Sequence, residues 1–186
     1  MSIILCNESH LEELIEFYGK QALYLEQTIN YPDWIPGVYP SKFTIKPAVL
    51  KGHQYAYIED GKIIGAFVLN EEAGGKYENA NIALKPKEYL VIHTLGTSYE
   101  HYKKGIATKI INYCIEKAKE GGYKGIYCDI IPKNILSKNL FTKLGFKDLG
   151  SFDLERTHLL KFFPEMPLFS VFELVFKTNK QINKKY

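Results

Sequence analysis

The sequence predicts an α/β (α+β) domain with a mixed, mostly antiparallel central sheet flanked by helices, and three stretches carry that prediction. Residues 89–146 read as strand, glycine-containing turn, helix, strand and helix, a βαβα unit that sets two strands in parallel. Asp60-Gly61 stands between two apolar runs and marks a tight hairpin. Residues 148–157 and 170–177 read as a closing pair of strands.

In chain order, residues 2–6 form a short apolar run suited to a first strand, and Asn7, Glu8 or Ser9 caps the helix after it. Over residues 11–27, Leu11, Leu14, Phe17, Tyr18, Ala22 and Leu25 recur near helical spacing, with acidic residues early, so this helix covers one sheet face. Residues 30–40, NYPDWIPGVYP, are a loop of unusual apolar content, whose Trp34 and Tyr39 either plug the core or line a substrate pocket. A short helix over residues 41–51 starts at Ser41, and Pro47 should interrupt or restart it. The hairpin strands are residues 54–58 and 63–69. Residues 71–87 are polar and glycine-bearing, a loop with a broken strand around residues 81–84.

Residues 89–95 form the first strand of the βαβα unit, and residues 106–119 its helix, with Ile106, Ile110, Ile111, Cys114, Ile115 and Ala118 on one stripe. Glycines 121 and 122 end that helix, residues 124–131 form the next strand, and Asn134 or Ser137 caps a short helix closed by Leu144-Gly145.

An apolar fraction of 46% in 186 residues supports one core, expected over residues 1–178, with a polar basic tail at 179–186. The three cysteines lie inside apolar patterns rather than at ligand or disulfide spacings, so buried thiols and a cytoplasmic, soluble protein are expected, with no metal. No signal-like start or membrane-length apolar run is seen, which argues against a membrane partner. A net charge of +3, partly in the tail, is too small to indicate nucleic-acid binding.

The turn Tyr102-Lys-Lys-Gly-Ile-Ala107 opens into a helix, so backbone N–H groups, two ammonium groups and a close-approach glycine meet where a phosphate can bind. It is neither a dinucleotide fingerprint nor a GxxxxGK[ST] loop. Together with HTLGT at residues 93–97, Asn134 and the spacing Asn134, Ser137, Leu140, Phe141, Gly145-Phe146, it resembles the GNAT superfamily of acyl-CoA-dependent N-acyltransferases. The resemblance is detailed over residues 89–146 and loose over the rest.

That resemblance implies acetyl-CoA as cosubstrate. The family turn, Gln/Arg-x-x-Gly-x-Gly/Ala, maps onto Tyr102, Lys103, Lys104, Gly105, Ile106 and Ala107 and departs at Tyr102, leaving the phosphates to backbone N–H groups from Lys103 to Thr108 and to lysine charge. It also implies that two strands part here, that Leu95, Gly96 and Thr97 pair with the pantetheine arm, and that Asn134 contacts the cofactor while capping a helix. Phe141 stands where many members carry a thiolate-protonating tyrosine. It packs but cannot donate, which leaves water, Tyr127 or Tyr99 for that task.

An attacking amine must first lose its proton. His93, two residues before Leu95, is the expected base or relay, with a hydrogen-bonded core histidine as the competing reading. Glu72, beside Glu71, and Asp129 are further catalytic candidates; solvated charge and pairing with a lysine are their plainer roles. The expected function is transfer of an acetyl group from acetyl-CoA to a primary amine by direct attack. The acceptor is an amine-bearing small molecule or peptide entering past Trp34, Tyr39 and His158. The alternative is a catalytically silent acyl-CoA-binding or sensing domain, and residues 162–172 read equally as core or as a homodimer interface.

Overall fold

The computed structural model describes residues 2–161 and 165–177; the expected tail, residues 179–186, and residues 162–164 of the apolar run lie outside them. In chain order the elements are β1 (Ser2–Leu5), α1 (Leu11–Glu26), α2 (Lys42–Leu50), β2 (Gln54–Glu59), β3 (Lys62–Asn70), β4 (Tyr89–Thr97) and α3 (Ile106–Glu120). They continue with β5 (Gly125–Ile130), α4 (Ile135–Lys143), β6 (Lys147–Phe152) and β7 (Phe169–Val175). The strands form one sheet in the order β1-β2-β3-β4-β5-β7-β6. Only β4 and β5 run parallel, joined through α3; the other neighbours are antiparallel, as the sequence predicts. No helix among the described residues is long and apolar enough to cross a membrane.

Period-two alternation sorts the central strands into two faces. Leu90, Ile92, Ile126, Cys128 and Phe172 join the α3 stripe in one core. Tyr89, Val91, Tyr127 and Val171 point the other way, where Tyr77, Ala80 and Leu154 cover them. A third cluster fixes α1 and Trp34 on Ala56 and Ala66 of the hairpin. In that hairpin Asp60 (φ 49°) and Gly61 (φ 73°) are both left-handed, the geometry a two-residue type I′ turn requires.

Three expectations are corrected. The α2 helix runs through Pro47, because a proline there removes only the N–H that would reach the Phe43 carbonyl. Thr44 Oγ1 anchors its start by accepting from Ser41 N at 3.0 Å. The loop after β3 holds a 3-10 turn, Tyr77–Ala80, and residues 81–84 follow it as turn and bend in place of the broken strand expected there. Over Tyr89–Ile92 β4 is paired by β5 on one edge, and β3 pairs its other edge, so this segment buries Tyr77 and Ala80 against the sheet face instead. Finally, β6 stops at Phe152, and residues 153–156 turn inward with Glu155 at φ 52°, its N–H donating to Asp153 Oδ1 at 2.7 Å.

A bulge in β4 shapes the site. Ala66 pairs with Gly96 and Val68 with His93, so Thr94 and Leu95 oppose Phe67 alone. Thr94 takes φ 50°, costly for a β-branched residue. Two hydrogen bonds hold it: Tyr18 donates its O–H to the Thr94 carbonyl at 2.9 Å, and the Tyr39 hydroxyl meets Thr94 Oγ1 at 2.9 Å. Beyond the bulge, Gly96 lets the buried Trp34 ring approach, since a β-carbon there would lie 2.8 Å from Trp34 Cη2. Gly96→Ala is expected to lower stability by about 1–3 kcal/mol through this overpacking, read as a fall in denaturation midpoint.

Candidate active site

Pairing between β4 and β5 ends at Ile92 and Cys128, although β4 continues to Thr97. The two strands therefore part, and α3 begins beside the gap. Its first turn carries no acidic residue and no side-chain cap. Lys103 (φ 63°) and Gly105 (φ 73°) both turn left-handed just before it, so successive backbone N–H groups form a concave, positive helix end. Tyr102 is exposed, and the Lys103 ammonium lies 5.5 Å from its ring centroid. These groups suit a phosphate-bearing ligand whose amide-bearing arm enters between the strands.

A cavity of about 940 Å³ opens at this gap and is lined by residues from both faces of the sheet. Leu95, Thr97, Ala107, Asn134 and Phe141 line its near half; Tyr39, Phe43, His93, Asp129, Arg156 and His158 line its far half. Asn134 accepts from Ser137 N at 3.1 Å, capping α4 while facing the cavity, so both of its expected roles are compatible with one position. Phe141 is buried, 5.0 Å from Phe146 between ring centroids.

In the far half, Arg156 makes a fork on Asp129. Nη1 donates to Oδ1 and Nη2 to Oδ2, each at 2.7 Å, and Tyr77 O–H adds a bond to Oδ2 at 2.6 Å. The same guanidinium donates to the carbonyls of Gly74 and Ala73, each at 3.0 Å, so it pins the loop after β3. That loop presents the Glu72 carbonyl to His93 Nε2 at 2.8 Å. A carbonyl only accepts, so Nε2 carries the hydrogen and Nδ1 keeps its lone pair. Burial lowers the His93 pKa below the usual histidine value and Arg156 lowers it further, against the opposing pull of Asp129 and Glu72. The imidazole is therefore neutral at pH 7. Burial pushes the Asp129 carboxyl up, but the Arg156 charge and hydrogen bonds outweigh it and hold the group below the usual carboxylate range.

The acetyltransferase (GNAT) family model matches residues 11–146. The chain belongs to that family. With membership come the acyltransferase activity and the acetyl-CoA donor that the motif implies, and the parted strands and uncapped α3 end fit that donor. No curated protein matches this chain. Solved structures share its fold. A GNAT family acetyltransferase from Streptococcus agalactiae 2603 is 18% identical with a TM-score of 0.74, over 95% of this chain and 96% of that one. A ribosomal-protein-alanine N-acetyltransferase from Brucella melitensis is 14% identical with a TM-score of 0.66, over 95% and 100%. A Bacillus anthracis str. Ames structure solved with acetyl coenzyme A is 20% identical with a TM-score of 0.54, over 71% and 68%.

Against the GNAT expectations, the structure gathers His93, Asp129, Tyr39 and Trp34 on one cavity but gives two acids other work. Both Asp129 oxygens are taken by Arg156 and Tyr77, so Asp129 is not placed to accept a substrate proton. The Glu72 carboxylate is half exposed and bonded to Lys51 at 2.8 Å; its carbonyl, not its carboxylate, serves His93. Gly96 is buried beneath Trp34, while Leu95 and Thr97 line the cavity. Tyr127 donates to Glu173 at 3.0 Å, which removes it as an acid for the leaving thiolate, and Tyr99 stacks on Tyr24 at 4.4 Å outside the cavity wall. Arg156, Tyr77 and Thr94 were missed. Arg156 did carry a signal, as the only arginine among 24 basic residues.

Proposed function

We propose that this chain is an N-acetyltransferase that moves an acetyl group from acetyl-CoA to a primary amine by direct attack. The observation that carries the reading is the continuous cavity joining the parted strands beside α3 to a neutral, tautomer-fixed His93. Acetyl-CoA supplies a thioester-activated acetyl group. Backbone N–H groups from Lys103 to Thr108, with the Lys103 and Lys104 charges, hold its phosphates, and the free edge of β4 at Leu95 and Thr97 receives its pantetheine amides. Asn134 and Phe141 form the wall; Phe141 contributes packing, not a proton. His93 Nδ1 takes the proton of the attacking nitrogen as the C–N bond forms, and the C–S bond breaks to release CoA as a thiolate that takes its proton from water. Arg156 is a positioning residue that fixes the loop carrying the Glu72 carbonyl. Trp34 and Tyr39 bound the acceptor side. The free, buried thiols of Cys6, Cys114 and Cys128 favour a reducing compartment such as the cytoplasm.

The test is thiol release from acetyl-CoA, followed with a disulfide reagent across a panel of amines. Amine-dependent release is expected; tight acetyl-CoA binding with no release from any amine would sink the transferase reading. Replacing Lys103 and Lys104 together by alanine should raise KM for acetyl-CoA about 3–10-fold, more at low salt, with kcat little changed, since each exposed charge contributes modestly.

A further inference from the structure

The far half of the cavity is aromatic and charge-balanced, and both properties bear on the acceptor. Phe43 on α2 lines the cavity with 86% of its surface exposed, so a ring bound against it would cover apolar area that now faces solvent. Tyr39, Val68 and Phe169 line the same cavity. Three carboxylates line the cavity, Asp33, Glu72 and Asp129, and each already holds a cation: Lys133, Lys51 and Arg156 in turn. Arg156 itself spends donors from all three nitrogens on Asp129, Ala73 and Gly74.

An ammonium entering such a pocket loses hydration and needs an anion in exchange. The reacting nitrogen meets this requirement by entering as the neutral free amine, its ammonium proton left in solvent, and it passes a proton to His93 only as the C–N bond forms. A second or third ammonium, as in a polyamine or an aminoglycoside, would have to displace a lysine or arginine from its carboxylate. An arylalkyl group has no such requirement and gains contact with the Phe43 and Tyr39 rings. Resting on the transferase reading above, we infer that the acceptor is an arylalkyl primary monoamine, its ring seated between Phe43 and Tyr39 and its nitrogen directed to His93.

The experiment compares phenylethylamine and tyramine with spermidine and kanamycin in the thiol-release assay at fixed ionic strength, for wild type and Phe43→Ala. The arylalkyl amines should show kcat/KM at least about 10-fold above either polycation, and Phe43→Ala should raise their KM about 3–10-fold with kcat and KM for acetyl-CoA retained. Because Phe43 is exposed, its removal does not threaten the fold. Spermidine or kanamycin matching the aryl amines, or a Phe43→Ala enzyme with unchanged KM for them, overturns the inference and leaves the transferase reading intact. Calorimetric titration of phenylethylamine into the CoA-saturated protein separates the other failure. Phe43-dependent binding without turnover supports the aryl site and sinks the transferase reading.

Discussion

Replacing His93 by alanine is expected to lower kcat/KM by about 10²–10⁴-fold, the range a positioned general base supplies. The direction with pH is set by the imidazole's surroundings. Its pKa lies below the usual 6.5, chiefly from burial, so the wild-type base is neutral at pH 7 and protonates only as pH falls through the lowered value. Wild-type kcat/KM should therefore carry an extra downward slope on the acid side, below 6.5, in addition to any titration of the amine itself. The alanine enzyme should lack that slope. His93→Gln is the sharper control, because a side-chain amide can still donate to the Glu72 carbonyl but has no basic nitrogen. A glutamine enzyme as active as wild type would mean that His93 serves structure alone. The same depressed pKa makes His93 a small source of acid lability: its contribution is whole above 6.5 and is lost as pH drops through the folded value.

The features legible in the sequence and those hidden from it divide along local and non-local causes. The Asp60-Gly61 turn, the α3 stripe and the glycine-led helix start each depend on neighbours a few residues away, and all three appear where the pattern places them. Thr94 reads as an ordinary strand residue. Its left-handed backbone is held by Tyr18 and Tyr39, which lie 76 and 55 positions away, so no local pattern can announce it. The same holds for Asp129, whose partners Tyr77 and Arg156 come 52 residues before it and 27 after. Only composition hints at Arg156. Where 23 of 24 basic positions tolerate lysine, the single arginine marks a place that needs a planar fork: here, two carboxylate oxygens and two carbonyls from one guanidinium.

Arg156→Met is expected to destabilise the fold by about 3–5 kcal/mol, the usual consequence of removing one partner of a buried ion pair. For a chain of this size the melting temperature should fall by roughly 10 °C. Asp129 is left in a buried site with the Tyr77 hydroxyl as its remaining side-chain donor among the described residues, and the Ala73 and Gly74 carbonyls lose the Arg156 bonds. The pH dependence separates this cause from lost packing over Phe169, whose ring centroid lies 4.4 Å from the guanidinium carbon. In wild type the lowered Asp129 pKa contributes stability above the ordinary value of 3.8, lost as pH falls through the folded pKa. Without Arg156, burial dominates and raises that pKa, so the variant's penalty is full at neutral pH and shrinks as the carboxyl takes up a proton. The stability gap between the two proteins should narrow from pH 7 toward pH 4; a pH-independent gap would assign the loss to packing. Asp129→Asn in the Arg156→Met background should restore part of the stability, because the stranded charge is gone. Kinetics supply an independent sign test. Removing Arg156 takes away a cation that lowers the His93 pKa, so the acid limb moves up; Asp129→Asn alone removes an anion that raises it, so the limb moves down. Displacements of opposite sign from two neighbouring substitutions cannot come from a general loosening of the fold, and they would locate the pair's influence at the base itself.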